Sequence, residues 1–498
     1  MFRFLIFWLS MSATGLVYGQ RQEIDSLQTK LAGMRPGIER VDLLNNISSA
    51  LYNYDVVRAH DRAVEAYELA RSIDYVDGMR YALILKAFYF FGSANYSEAL
   101  NYHRQSAKLE TRDDDLKAYN LVMTGNVFQA LAQYDSALKA YMQAIRIEQT
   151  LGSEQYLAYA YKNLGRLHVI QWRNDEAEMY FRLAIDLYKK NNSKRSIADT
   201  WYALAEVKSN VGAYDEALQL VNQACAVGEE LDDEFLKLYC YINKGEISHN
   251  TGEYADALDQ LFLAMEKIKD VELPNVLARL YQDLGDVYEA LGQNEVALNY
   301  FLESLKVAQR LGIKHEIAKV KSGIAWIYKN QKNFKLAHQF INESLELRQE
   351  IGDDHGISNC YNVRGVIYLV EKKYDSALVS LDRSLEIRTR LKYKYGIAAC
   401  LFNKAIVLEE RKDYKQALDL QLRALEYEHQ IGNKFSIGIS YNGVGSIYTK
   451  LNDFRKAAHY LRLAEQMAER TGSLTLQMNN SGYWAELYAM TNDHKRAL

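Results

Sequence analysis

Small and apolar positions return along this chain every 40 residues. An aromatic or polar residue followed three positions later by alanine occurs at Tyr134 and Ala137. It returns at Asn174 and Ala177, Tyr214 and Ala217, Tyr254 and Ala257, Asn294 and Ala297, Phe334 and Ala337, Tyr374 and Ala377, Tyr414 and Ala417, Phe454 and Ala457, and His494 and Ala497. Two looser copies precede these, at Ala63 and Ala99. Twelve residues before each alanine stands a glycine or alanine, as at Gly125, Gly165, Ala205, Gly245, Gly285, Ala325 and Gly365. Seven residues after it stands an alanine or serine, as at Ala144, Ala224, Ser304 and Ser384. Small residues on predicted helix faces let two helix axes approach to the short end of the roughly 8 to 10 Å range. Each unit therefore predicts a helical hairpin. An aromatic four residues before the first small position (Tyr161, Trp201, Tyr241, Tyr281, Tyr361, Tyr441) is expected to fill the gap beside that contact.

The turns carry a signal of their own. Gly212, Gly252 and Gly292 fall where the first helix of a hairpin should stop, and Gly152, Gly312, Gly352, Gly432 and Gly472 where the second should. Glycine takes the left-handed C′ conformation without steric cost. Asn452 and Asn492 replace it in the first set, and Asn192, Asp232 and Lys392 in the second. Only two prolines interrupt the 498 residues, so long helices are permitted almost throughout. The acidic turns at Asp113 to Asp115 and at Asp353 and Asp354 lack the ligand order and central glycine of a calcium loop, and are expected to be solvated partners of helix N-termini.

Small, aromatic, alanine, aromatic and alanine in this order resemble the tetratricopeptide repeat, here in a long-helix variety, since the family unit is about 34 residues. The resemblance runs from about residue 40 to the end. It implies an all-α fold, a right-handed α-solenoid of about twelve hairpins, acting as a non-catalytic scaffold for proteins or peptides. Each hairpin is expected to touch only its neighbours and to give an elongated molecule. Ile24, Leu27 and Leu31, at helical spacing, predict a lead-in helix within residues 20–39. Exported arrays of this kind also resemble the N-terminal halves of bacterial membrane histidine kinases and helix-turn-helix regulators, which makes a sensory role the alternative.

Arg3, the apolar stretch Phe4 to Leu9 and the small residues before Gly19 read as a signal peptide over residues 1–19, with a periplasmic or secreted destination. No cysteine follows the apolar core to take a lipid, and no later segment is apolar enough to span a bilayer. Cys240, Cys360 and Cys400 share one repeat position and are expected to be small buried hydrophobes. The alternative is a bridge between Cys225 and Cys240, which flank one predicted turn.

A net charge of −4, from 60 Lys and Arg against 64 Asp and Glu, gives no cationic field for nucleic acid. The ten histidines form no metal-binding pair, no glycine-rich phosphate loop follows a strand, and no nucleophile elbow occurs, so no catalytic centre, metal or cofactor is expected. In stacked hairpins the first helices line the concave side. The groove set is then the residue after the first small position with those three and six before it. These are Tyr159, Lys162 and Arg166; Asp199, Tyr202 and Glu206; Tyr239, Ile242 and Glu246; Arg279, Gln282 and Asp286; and Lys319, Ser322 and Trp326. Polar residues with interspersed aromatics suit an extended peptide, and Trp326, off the packing phase, is the expected hot spot. The family's carboxylate clamp is matched only in part, by Lys162, Asn163 and Arg166 with Asn126. The last unit, from about Ser481 through His494 to Leu498, reads as half a hairpin. Trp484, Leu487 and Tyr488 are expected on its uncovered face, as in a fragment of a longer protein.

Overall fold

The computed structural model describes residues 26–491 apart from 53, 54, 94, 112, 269–272, 433 and 472. The signal peptide, Ile24, Gly472, His494 and Ala497 lie outside the described residues. Those described form helices joined by short turns, paired from Ile38–Leu51 with Val56–Ser72 to Lys434–Lys450 with Phe454–Thr471, followed by Leu474–Met490. Successive hairpins stack into an α-solenoid. Residues 26–32 are helical, and Leu31 is buried in a cluster with Leu43, Leu44 and Ile47. At the other end Leu487 does not face outward: it is buried against Ala457 and Leu461, and Trp484, stacked on Tyr488, packs on the same cluster.

Within each hairpin the small residue of the first helix receives a large one from the second. A Cβ on Gly165 would stand 2.6 Å from Phe181 Cε1, and one on Gly285 2.7 Å from Phe301 Cδ1. The fourth residue after the repeated alanine is therefore the wedge: Tyr141, Phe181, Val221, Leu261, Phe301, Ile341, Leu381, Gln421 and Leu461 are all buried. The aromatics expected to fill this gap do something else. Tyr161 stacks on Tyr180 at 5.8 Å between centroids, and Tyr281 and Tyr441 tilt against Tyr300 and Tyr460, half-buried beside the wedge. The serines seven residues past the alanine also bind. Ser304, Ser344 and Ser384 hydroxyls donate to the carbonyls of Ala278, Ala318 and Ser358 at 2.6–2.7 Å, tying the second helix to the first.

Left-handed residues end the helices at 20-residue intervals from Ala132 to Gly252 and again from Gly292 to Asn452. Many are not glycine: Ala132, Trp172, Lys332, Lys372 and Lys412 join the asparagines and Asp232. An L-residue held there costs roughly 1–2 kcal/mol, partly offset in glycine by its freer unfolded chain. Replacing Lys372 (φ 61°) by glycine is expected to stabilise its hairpin by about 1 kcal/mol, read as a higher melting temperature by circular dichroism. A lower one would mean that the lysine side chain contributes more than the backbone loses.

The acidic turns are less solvated than expected. Asp113 accepts from Leu116 N at 2.9 Å, but Asp353 is buried, accepting from Gly356 N at 2.8 Å and from Arg348 Nη1 at 2.7 Å. Cys240 is not a free thiol. It is bonded to Cys225, joining the helices Tyr214–Glu230 and Glu234–Thr251 across their turn, whereas Cys360 and Cys400 are free and buried. They are the small buried side chains that all three were expected to be.

The hairpins also touch partners far along the chain. Trp172 stacks on His355 with centroids 3.6 Å apart and lies 4.6 Å from Tyr393. Gly212 abuts Ile431, where a Cβ would collide with the Ile431 side chain, and a Cβ on Gly252 would lie 3.6 Å from Phe435. The turns inside three successive hairpins thus meet the turns between hairpins about five units later. The superhelix closes on itself, which is more compact than contacts between neighbours alone would give.

Candidate functional site

Five successive first helices, Glu154–Ile170, Lys194–Asn210, Glu234–Thr251, Pro274–Ala290 and Lys314–Asn330, carry the groove positions. Residues six before and one after each small position converge. Asp199 accepts from Lys162 Nζ at 2.6 Å and lies 3.5 Å from Arg166 Nη2. Burial raises the Asp199 carboxyl, and the two cations outweigh it, holding the group well below the usual carboxylate range. Arg279 donates through Nε to Glu246 Oε1 at 2.8 Å, and its Nη2 bonds the same oxygen. Glu206 feels Arg279, Glu246, Arg166 and Lys319, which come from hairpins on both sides of its own. Tyr239 stands among Arg166, Arg279, Asp199 and Glu206. Solvent reaches Arg166, Glu206 and Lys319 although the superhelix surrounds them. Such a setting strengthens electrostatic interaction relative to an open surface.

The residues three before the small position do not join them. Tyr202 is buried and its hydroxyl donates to the Leu236 carbonyl at 2.8 Å; Ile242, Gln282 and Ser322 are likewise buried between hairpins. Stacking of the next first helix covers that position, so Tyr202 and Gln282 leave the groove wall. Lys162 is the exception because its long stem carries the ammonium out to Asp199. Trp326 is not a lone exposed ring. It packs beside Ala325 and Ile341, donates Nε1–H to Glu289 at 2.6 Å, and lies under Lys329 Nζ, 3.4 Å from the ring centroid. The partial clamp is committed internally: Asn163 Nδ2 donates to the Tyr159 carbonyl at 2.8 Å, and Asn126 accepts from Tyr141 Oη at 2.7 Å.

One residue at the face lies outside the sequence-derived set. Asp283 sits two before the small position, which is Asn163, Ala203, Asn243 and Gly323 in the neighbouring hairpins. A carboxylate in a column of small or neutral residues was the available signal. Its Oδ2 is buried, has no hydrogen-bond donor and lies 3.9 Å from Arg279 Nε. Among the described residues no group of His, Cys, Asp or Glu is arranged to hold a metal ion, and no helix is long and apolar enough to cross a membrane.

The tetratricopeptide repeat family matches residues 114–190, 276–350, 356–428 and 397–470, more than half of the chain. The chain belongs to the tetratricopeptide repeat family. Its repeats stack as those of solved structures do at low identity. One is a Rap protein complexed with Competence and Sporulation Factor, 13% identical, with a TM-score of 0.56 over 72% of this chain and 99% of that one. Another is the APC/C hetero-tetramer Cut9-Hcn1, 14% identical, with a TM-score of 0.53 over 97% of this chain and 94% of that one. These likenesses establish the tetratricopeptide solenoid, and no curated protein sequence matches the chain.

Proposed function

We propose that this tetratricopeptide protein is a non-catalytic scaffold working in the periplasm or outside the cell, and that its concave face holds an extended peptide or protein segment. The observation that carries the reading is the convergence of Tyr159, Arg166, Asp199, Glu206, Tyr239, Arg279 and Lys319 from five successive first helices onto one enclosed face. Alternating charges and aromatic edges supply hydrogen bonds along a backbone and area for side chains. The Rap and Cut9 complexes are assemblies built on this fold, which favours a binding role over any other. The Cys225–Cys240 bond supports export, because such bonds persist in oxidising compartments.

The test uses peptides selected from a displayed random library on the mature chain. They are expected to slow hydrogen exchange in Glu154–Ile170 through Pro274–Ala290, and Tyr239→Ala is expected to weaken them about tenfold or more. Failure to select any peptide above an empty-surface control, or protection confined to the second helices, overturns the reading. Alkylation of freshly extracted protein should leave Cys225 and Cys240 unlabelled until reduction; labelling before reduction would remove the support for export.

A further inference from the structure

Resting on the concave-face reading, we infer that the bound segment is anchored by a cationic side chain, lysine or arginine, placed among Glu206, Glu246, Asp283 and Asp286. Four carboxylates face Arg279 and Lys319 there, with Arg166 reaching Glu206 from the side, and the cations leave them unevenly served. Arg279 spends its fork on Glu246. Among the described residues Lys319 makes no ion pair within 4 Å, although Asp283 and Asp286 lie within its electrostatic reach. Glu206 is solvent-exposed inside the superhelix and has no hydrogen-bonded or ion-paired partner among the described residues. Among the described residues Asp286 accepts only from Gln282 Nε2, at 3.2 Å.

A buried acceptor within this cluster points to a ligand independently of its charge. Asp283 is 8% exposed, and its Oδ2 is buried without a hydrogen-bond donor, 3.9 Å from Arg279 Nε. Asp283 faces Glu246, Lys319, Arg279 and Asp286. A buried acceptor without a donor is destabilising, and more so when it is charged. Burial and Glu246 accordingly raise the Asp283 carboxyl well above its ordinary range against the pull of Lys319 and Arg279. A guanidinium or ammonium brings N–H donors to Asp283 Oδ2, which has none, and a positive charge to Glu206 and Asp286, which make no ion pair within 4 Å among the described residues. A metal ion is the poorer occupant, since these carboxylates are not arranged as a chelating group. At the far end of the face, Lys162 and Arg166 share the single carboxylate of Asp199, leaving cationic charge over. The segment therefore lies with its basic residue toward Pro274–Ala290 and any acidic residue toward Glu154–Ile170.

The experiment selects peptides from a displayed random library on the mature chain and on its variants, with sequencing of the bound pools. Lysine and arginine are expected to be enriched about fivefold at one position, and Glu206→Gln to abolish that enrichment while peptides still bind. Asp283→Asn should act likewise; if it fails to fold, the exposed Glu206 variant carries the test, with circular dichroism as the control. Removing the internal competitor, Lys319→Ala, is expected to tighten a basic peptide at least threefold. A bound pool with no basic enrichment, or one unchanged by Glu206→Gln, overturns the cationic anchor while the concave-face reading stands. If no pool binds at all, the concave-face reading falls as well. Replacement of a selected basic peptide by millimolar calcium would assign the cluster to a metal and overturn the inference.

Discussion

Replacing Gly285 by alanine is expected to destabilise the array by about 1–3 kcal/mol, the cost of overpacking a filled contact. In an ordinary helix interior the same exchange stabilises by up to about 1 kcal/mol, so the sign is diagnostic. The reason lies across the hairpin. Phe301 is buried with its ring wedged between two glycines, and a new Cβ would stand 2.7 Å from it at Gly285 and 2.8 Å at Gly323. Phe301→Ala removes the wedge and should cost about 3–5 kcal/mol. The chain shows how the clash is relieved elsewhere: where the small residue is Ala205 or Ala325, the wedge is Val221 or Ile341. Gly285→Ala with Phe301→Val should therefore recover part of the loss, with a coupling energy of about 0.5–3 kcal/mol from thermal or urea melts of the four proteins. A Gly285→Ala protein that melts at or above the parent would mean that the two helices do not approach so closely.

That complementarity is present in the sequence, at a position other than the expected one. The 40-residue period identified the hairpins because small residues are required wherever helix axes approach, and nothing else can stand there. It did not say which facing residue enters the gap. Tyr161 and its equivalents were natural candidates by proximity in sequence, whereas Phe181 and its equivalents face the gap from the second helix. The groove was legible in the same partial way. Periodicity put Arg166, Glu206, Glu246, Arg279 and Lys319 on one face, since first helices share a phase. It could not distinguish that face from the seam between hairpins, which buries Tyr202 and Gln282. Trp326 reads as free only while Glu289 and Lys329 are treated as remote. The disulfide depends on the crossing of two helices at one turn, which spacing allowed and did not choose. Contacts five hairpins apart leave no local trace: Gly212 looks like any helix stop until Ile431 is found beside it.

Closure of the superhelix predicts a response that separates it from a string of independent hairpins. Gly212→Leu must drive a side chain into Ile431, whereas Gly292→Leu, in the same left-handed conformation at φ 75°, meets nothing within 4 Å. Both carry the backbone strain of roughly 1–2 kcal/mol. Only the first is expected to enlarge the molecule in small-angle scattering. Acid should have a related effect at the neighbouring contact, where His355 packs against Trp172 and Tyr393. Burial lowers His355 well below the ordinary imidazole value near 6.5, and Arg388, Arg348 and His315 add to it; Asp353 is already occupied by Arg348. The folded state thus takes up the proton later than the unfolded one. The contribution to stability is complete above about pH 6.5 and is lost as pH falls toward the folded value. His355→Phe keeps a ring against Trp172 without a proton to gain. Parent protein moved from pH 8 to pH 5 is therefore expected to expand and to melt earlier, and the His355→Phe protein to change much less. Identical scattering curves for the parent at both pH values, or for Gly212→Leu and Gly292→Leu, would show that the turns of the superhelix do not hold one another.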